Sequence, residues 1–319
     1  MKKATFAIIT ILSLCFTGIG LMTENAVAIN SNAGTSSFSF LKINVGARPV
    51  AMGGAYTGLA NDESSLYYNP AGIASMENKG IMLDYLNYFT DIQSGYVGYI
   101  RPLGFGSGKV IAFHLSYLNY GDFTETDVAG NTTGSFSGGD MYLAGTFAMK
   151  KGYYWSFGAT SKFIYEKVQS FSATGIAFDL GARYTGPRDH YSFGLAVQNL
   201  GVQLSALGTE KSKLPLTVRG GAAYHLKGLP ILLSSDLILP IDNDLVFAIG
   251  GEYYDLKPFY IRVGWNSFGS NYRASGSSDS WAGTSLGVGF DFRKMQISYA
   301  FSPGADLGTS HRITLTGEI

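Results

Sequence analysis

The sequence predicts an all-β protein, a 14-stranded antiparallel transmembrane β-barrel with an N-terminal plug or hatch segment. Three observations predict it. The composition is rich in Gly (42 of 319 residues) and in Tyr and Phe (21 each), yet only 14 % of residues are charged, where roughly 25 % is ordinary for a soluble domain. Apolar residues recur with period two inside short runs bounded by Gly, Pro, Asn and Asp, which is the signature of strands. The connections between runs alternate between tight turns and long polar stretches, as they do in a barrel whose two ends face different compartments.

Charge narrows the class further. The 23 basic and 23 acidic residues balance, which excludes a basic nucleic-acid binder and a charged disordered chain. The single cysteine, Cys15, allows neither a disulfide framework nor a Cys-type zinc site.

Residues 1–28 read as a cleaved signal peptide: Lys2 and Lys3, an apolar run, then Ala26-Val27-Ala28 before a cut that makes Ile29 the first mature residue. Leu14 precedes Cys15 where a lipoprotein would have a small residue, so lipidation is not expected. Without Lys2, Lys3 and Glu24 the chain stays close to neutral. Beyond Ile29 every apolar run is broken by Gly, Asp, Lys or Asn before it reaches the ~18 residues of a membrane helix. A spanning chain of this kind must close as a barrel.

Residues 29–78 form an N-terminal segment. Its stretch 46–76 lacks strand alternation and is too rich in small residues for an ordinary amphipathic helix. Gly53-Gly54 permits close backbone approach, and Asn69-Pro70-Ala71-Gly72 has the composition of a turn. Placed before a barrel whose interior would otherwise stand open, this stretch is expected to plug the lumen.

Residues 79–319 form the barrel. Fourteen alternating segments are read at 79–89, 92–101, 108–118, 137–149, 153–166, 171–185, 190–199, 214–226, 229–239, 245–254, 257–266, 281–292, 294–301 and 310–318. Tight turns follow the fourth, eighth, tenth and twelfth. Long polar loops, Asn119 to Phe136, Leu200 to Lys213 and Ser267 to Ser280, follow the third, seventh and eleventh. The first of these carries Asp122, Glu125 and Asp127 without a base, and it and the Ser267 to Ser280 loop are candidate docking surfaces. Aromatic residues gather near segment ends: Tyr117 with Tyr120, Tyr153-Tyr154-Trp155, Tyr253-Tyr254, and Tyr260 with Trp265. They are expected to form girdles at headgroup level, with outer-membrane lipid as the barrel's surroundings.

Strand charges fall opposite the greasy face: Lys162, Glu166, Asp179, Arg183, Arg219, Asp236, Glu252, Arg262, Asp291 and Arg312. Facing lipid, each would cost up to a few kcal/mol, so they are expected in the lumen, pairing to brace the barrel. His114 is expected there as well, as a satisfied interior residue.

Ala51-Met52-Gly53-Gly54-Ala55, Asn61-Asp62 and Asn69-Pro70-Ala71-Gly72, within Gly46 to Gly72, resemble the start of the PorV/PorQ family of outer-membrane barrels, in the wider superfamily of the long-chain fatty acid transporter FadL. The resemblance implies fourteen strands with a hatch, in the outer membrane of a Gram-negative-type bacterium. It makes Gly53, Gly54, Asn69, Pro70 and Gly72 hatch residues. It also implies one of two non-enzymatic roles. The first is a surface scaffold or shuttle for type IX-like secretion, holding the C-terminal domains of secreted proteins. The second is FadL-like transport of long-chain fatty acids or other small hydrophobic ligands. The chain ends in Ile319, where many such barrels end in an aromatic residue.

No enzyme chemistry is legible. Gly104 to Lys109 fails the phosphate-loop pattern because Leu103 occupies the first glycine position and Val110 the Ser/Thr position. Histidines 114, 190, 225 and 311 have no metal-ligand spacing, and there is no Gly-x-Ser-x-Gly elbow. No cofactor, metal or catalytic residue is expected.

Overall fold

A computed structural model describes residues 32–89, 92–272, 281–304 and 308–319. The predicted leader and part of the Ser267 to Ser280 stretch lie outside them. Fourteen strands among the described residues close into one antiparallel barrel. They are β1 (Gly80–Asn87), β2 (Gln93–Pro102), β3 (Lys109–Thr126), β4 (Thr132–Lys151), β5 (Trp155–Val168), β6 (Phe171–Thr185) and β7 (Tyr191–Ser205), followed by β8 (Thr217–His225), β9 (Ile231–Pro240), β10 (Val246–Tyr253), β11 (Phe259–Asn266), β12 (Thr284–Phe292), β13 (Met295–Pro303) and β14 (Thr309–Glu318). Each strand pairs with its neighbours in sequence, and β1 closes on β14 in register from Gly80↔Glu318 to Asn87↔His311. Full closure leaves no unpaired edge, the condition for a sheet to cross hydrocarbon.

The end that holds Gly80, Glu318 and the short connections is here termed the turn end. The opposite end, with the β3–β4 hairpin and the β7–β8 and β11–β12 connections, is the loop end.

Period two determines which way each side chain points. On β5, Ser156, Thr160, Lys162 and Ile164 are buried while Phe157 and Phe163 are exposed; on β6, Ala177, Asp179 and Arg183 are buried while Phe178 and Leu180 are exposed. The exposed row is apolar all round the barrel, from Leu83 and Tyr85 on β1 to Ile313 on β14. Moving one such Leu or Phe from water to an apolar surrounding is worth about 1.5–3 kcal/mol. The outer wall is therefore suited to hydrocarbon.

Two expectations are corrected. The stretches read as loops after the third and seventh segments continue as strand: β3 runs to Thr126, β4 begins at Thr132 and β7 runs to Ser205. The β3–β4 hairpin thus projects beyond the rest of the wall, with irregularities at Asn119/Asp122 and Glu125/Thr126, and Phe123 stacks on Phe136 across it at 5.3 Å. Strand standing clear of lipid has no reason to keep a greasy face, so its alternation disappears from the sequence.

The second correction concerns the girdle. Tyr153, Tyr154 and Trp155 are exposed on the outer face at the turn end. Tyr120 and Tyr260 instead fall on the inward row, where their hydroxyls donate to Asp140 and Asp291, each at 2.5 Å.

Candidate functional site

The lumen is filled by the chain that precedes β1. This inner segment starts at the loop end, where Ser37 N donates to Lys213 O at 3.0 Å. It descends through a 3-10 turn (Ser39–Lys42), short helices (Ala47–Ala51 and Ser65–Tyr68) and a second 3-10 turn (Pro70–Ser75), and enters β1 at the turn end. Its side chains are among the most buried of the molecule: Met52, Tyr56, Leu66, Tyr68 and Ile73 are all 0 % exposed.

Glycine makes this fit on both partners. Gly53 and Gly54 have φ of 68° and 82°, a region that disfavours side chains. A Cβ on Gly53 would also lie 2.6 Å from Trp265 O, and one on Gly72 would lie 2.3 Å from Ala60 O. Facing them, the wall presents inward glycines. A Cβ at Gly194 would meet Thr57 O at 2.0 Å, one at Gly264 would meet Gly53 N at 2.0 Å, and one at Gly158 would meet the Pro70 carbonyl carbon at 2.4 Å. Backbone therefore packs on backbone, and bare backbone needs polar partners. Asn69 supplies several: Nδ2 donates to Thr57 O (3.0 Å) and to Ala182 O on β6 (3.1 Å), while Oδ1 accepts from Ala71 N (3.2 Å). Pro70 begins the 3-10 turn that Asn69 caps.

The charges complete the docking. Asp236 accepts from Tyr56 N (3.1 Å), Thr57 N (3.0 Å) and Thr57 Oγ1 (2.6 Å), and pairs with Arg219 at 3.1 Å. Arg219 also donates to Gly54 O at 2.7 Å. Arg183 donates to Gly58 O at 3.1 Å. Glu252 holds Arg48 of the inner segment through two bonds of 2.8 Å and takes Arg262 at 2.6 Å on its other side. Arg262 continues to Ser298 (2.9 Å) and Gln296 (2.8 Å), and Gln296 reaches Asp291 at 2.7 Å. Lys162 and Asp179 pair wall to wall at 2.7 Å, with Asn199 accepting from Lys162 at 2.9 Å. His114 is buried between the Tyr96 and Tyr142 rings, with Nε2 3.3 Å from Thr146 Oγ1.

Three contributors were not legible as site residues. Arg48 binds Glu252, Asp62, Asn61 and Tyr56 at once. Asp84 on β1 pairs with Arg312, which also donates to Asn44 O. Thr57 joins two strands through Asp236 and Arg219. Arg48 carried a signal, since it is the sole charge between Ile43 and Ala60, and an isolated charge in a packed stretch requires a buried partner. Glu63, buried near Gly80 at the turn end, has its carboxyl pushed up to about 7 by burial and by neighbouring Asp62.

Above the inner segment, toward the loop end, a cavity of about 390 Å³ remains. Asn44, Val50, Gly53 and Tyr67 form its floor, and Leu86, Ile238, Val246 and Ala300 contribute apolar wall. Gln198, Asn199, Asn266 and Arg312 place a few polar groups among them. The volume falls in the range of small-molecule sites. Among the described residues no cluster of His, Cys, Asp or Glu could hold a metal ion.

No family model matches the chain, and no curated protein matches it. Solved structures do. Two crystal structures of the toluene transporter TodX of Pseudomonas putida have TM-scores of 0.59 and 0.62 at 13 % identity, covering 85 % and 86 % of this chain and 96 % and 98 % of that one. A FadL homologue of Pseudomonas aeruginosa has a TM-score of 0.50 at 13 % identity, covering 92 % of this chain and 99 % of that one. One is named a toluene transporter and the other a FadL homologue, and at such identity the likeness is one of fold.

Proposed function

We propose that this protein is an outer-membrane channel for small hydrophobic molecules, closed by its inner segment. The observation that carries the reading is the loop-end cavity, largely apolar, flanked by Leu41 and Ile43 of the inner segment and floored by Asn44, Val50 and Gly53. A ligand entering it would stand directly on the segment that blocks the way to the turn end. The fold shared with a toluene transporter and a FadL homologue supports the same reading. Gly53, Gly54, Asn69, Pro70 and Gly72 would act as hatch residues by allowing tight docking. Lys162, Asp179, Arg183, Arg219, Asp236, Glu252 and Arg262 would hold the hatch and wall in register, with Asp291 at the end of that network.

A second reading is the surface scaffold of type IX-like secretion. It is favoured by the projecting β3–β4 hairpin with exposed Asp122, Glu125 and Asp127, and otherwise stands on the PorV/PorQ resemblance of Gly46 to Gly72. It ranks below the channel because the cavity is unused by it. Native mass spectrometry of protein extracted gently from its own membrane tests the order. A retained small apolar molecule is the expected result. A co-purifying C-terminal domain of a secreted protein, with no small molecule, would reverse the ranking.

A further inference from the structure

The exposed charges outside the lumen divide by end. At the turn end every hairpin turn carries a cation. Arg101 and Lys109 flank β2–β3, Lys150 and Lys151 stand at β4–β5, and Arg188 lies in β6–β7. Lys227, Lys257 and the Arg293-Lys294 pair do the same for β8–β9, β10–β11 and β12–β13, and Lys79 lies beside the β14–β1 seam. All are exposed, and none forms an ion pair with another described residue. The exposed carboxylates at that end, Glu77, Asp189, Asp255 and Glu318, are too few to neutralise them. At the loop end the hairpin tip is acidic, and the exposed bases among the described residues are Lys42, which is paired with Asp242, Lys167, Lys211 and Lys213.

Depth matters as much as sign. Just inside the cationic collar the outward row is aromatic: Trp155 follows Lys150-Lys151 and the Tyr153-Tyr154 turn, Phe259 follows Lys257, and Phe292 precedes Arg293. The Arg293 guanidinium lies 5.4 Å from the Phe292 ring centroid. Aromatic belts sit at the boundary between acyl chains and headgroups, so cations one or two residues further out lie at the depth of lipid phosphates. A basic collar there attracts anionic lipid, while the acidic hairpin at the other end repels it.

We infer that the turn end is a binding collar for anionic phospholipid headgroups of the phosphatidylglycerol type in the leaflet it faces, and that this contact orients the barrel. The inference rests on the transmembrane reading and is independent of what the cavity holds.

The test reconstitutes the full chain into vesicles of equal parts phosphatidylcholine and phosphatidylglycerol, then counts retained lipids by native mass spectrometry. Phosphatidylglycerol should be enriched about fivefold over phosphatidylcholine, and the enrichment should fall as salt is raised. A variant combining K150Q, K151Q, R293Q and K294Q should lose most of it, whereas a loop-end control combining K211Q and K213Q should keep it. Equal retention of both lipids by the unaltered protein overturns the inference, and needs no variant to fold. Enrichment that survives the turn-end changes, or stronger retention of lipid A when it is offered as a competitor, overturns it too. Failure to insert into either lipid would instead remove the transmembrane reading beneath it.

Discussion

Toward the turn end and through its middle the lumen is filled by inner-segment backbone lying on wall glycines and tied by buried ion pairs, whereas toward the loop end it opens into a cavity of about 390 Å³. The two halves share strands, and the same inward rows run through both. What differs is what those rows carry. Glycine and paired charge admit the inner segment and hold it. Val246 and Ile238, which with Leu41 and Val50 line the cavity, leave room for an apolar guest. Closure and binding capacity are thus separate properties of one lumen, and each can be perturbed alone.

The largest effect is expected from breaking the docking at its most connected charge. Arg48→Ala leaves Glu252 with one cationic partner and takes the ion pair from Asp62, and removing one member of a buried pair costs about 3–5 kcal/mol. Planar-bilayer recordings should change from closed to conducting, and denaturant resistance should drop. An unchanged closed state would mean that Arg48 is not what holds the segment. Next, Gly194→Val places atoms where Thr57 O already sits. Overpacking of this kind costs about 1–3 kcal/mol, and the same recordings should show partial opening. The matching change at Gly220, where a Cβ meets nothing within 4 Å, should be silent.

The cavity is expected to respond the other way. Val50→Phe fills its floor, so retention of a small apolar ligand should fall about tenfold, equivalent to about 1.4 kcal/mol, with closure and denaturant resistance kept. Loss of closure without loss of binding would break the separation of the two halves. A pH dependence belongs to Glu63. Its carboxyl is raised from 4.5 to about 7 by burial and by Asp62. A raised folded-state pKa contributes stability that is complete below the unfolded value of about 4.5 and is lost as pH rises through about 7. Docking should therefore weaken by about 2–3 kcal/mol between pH 5 and pH 8, and Glu63→Gln should flatten that dependence in pH-resolved unfolding.

The pattern of legibility follows from what surrounds each strand. Where a strand stands between lipid and lumen, as at Phe178, Asp179 and Leu180, solvent on each side is of one kind and the sequence alternates visibly. Where β3 and β4 rise past Asn119 and Gly139 both faces are wet, alternation ends, and a strand reads as a loop. Tyr120 and Tyr260 show a related limit. Position near a strand end suggested a girdle, but parity turned them inward onto Asp140 and Asp291.

The sequence by itself determined the closed antiparallel barrel, because period two and a charge-poor outer face are local properties of each segment. It also marked 46–76 as a stretch unlike the strands that follow. Only the tertiary structure decided that Arg48 meets Glu252, that Thr57 lies between Asp236 and Arg219, and that Gly158, Gly194 and Gly264 are landing places for another part of the chain. Those partners are separated by more than eighty residues of sequence, and a glycine records that something comes close without recording what. The cavity is likewise a remainder, the volume left between the inner segment and the loop-end wall, and no single stretch of sequence encodes it.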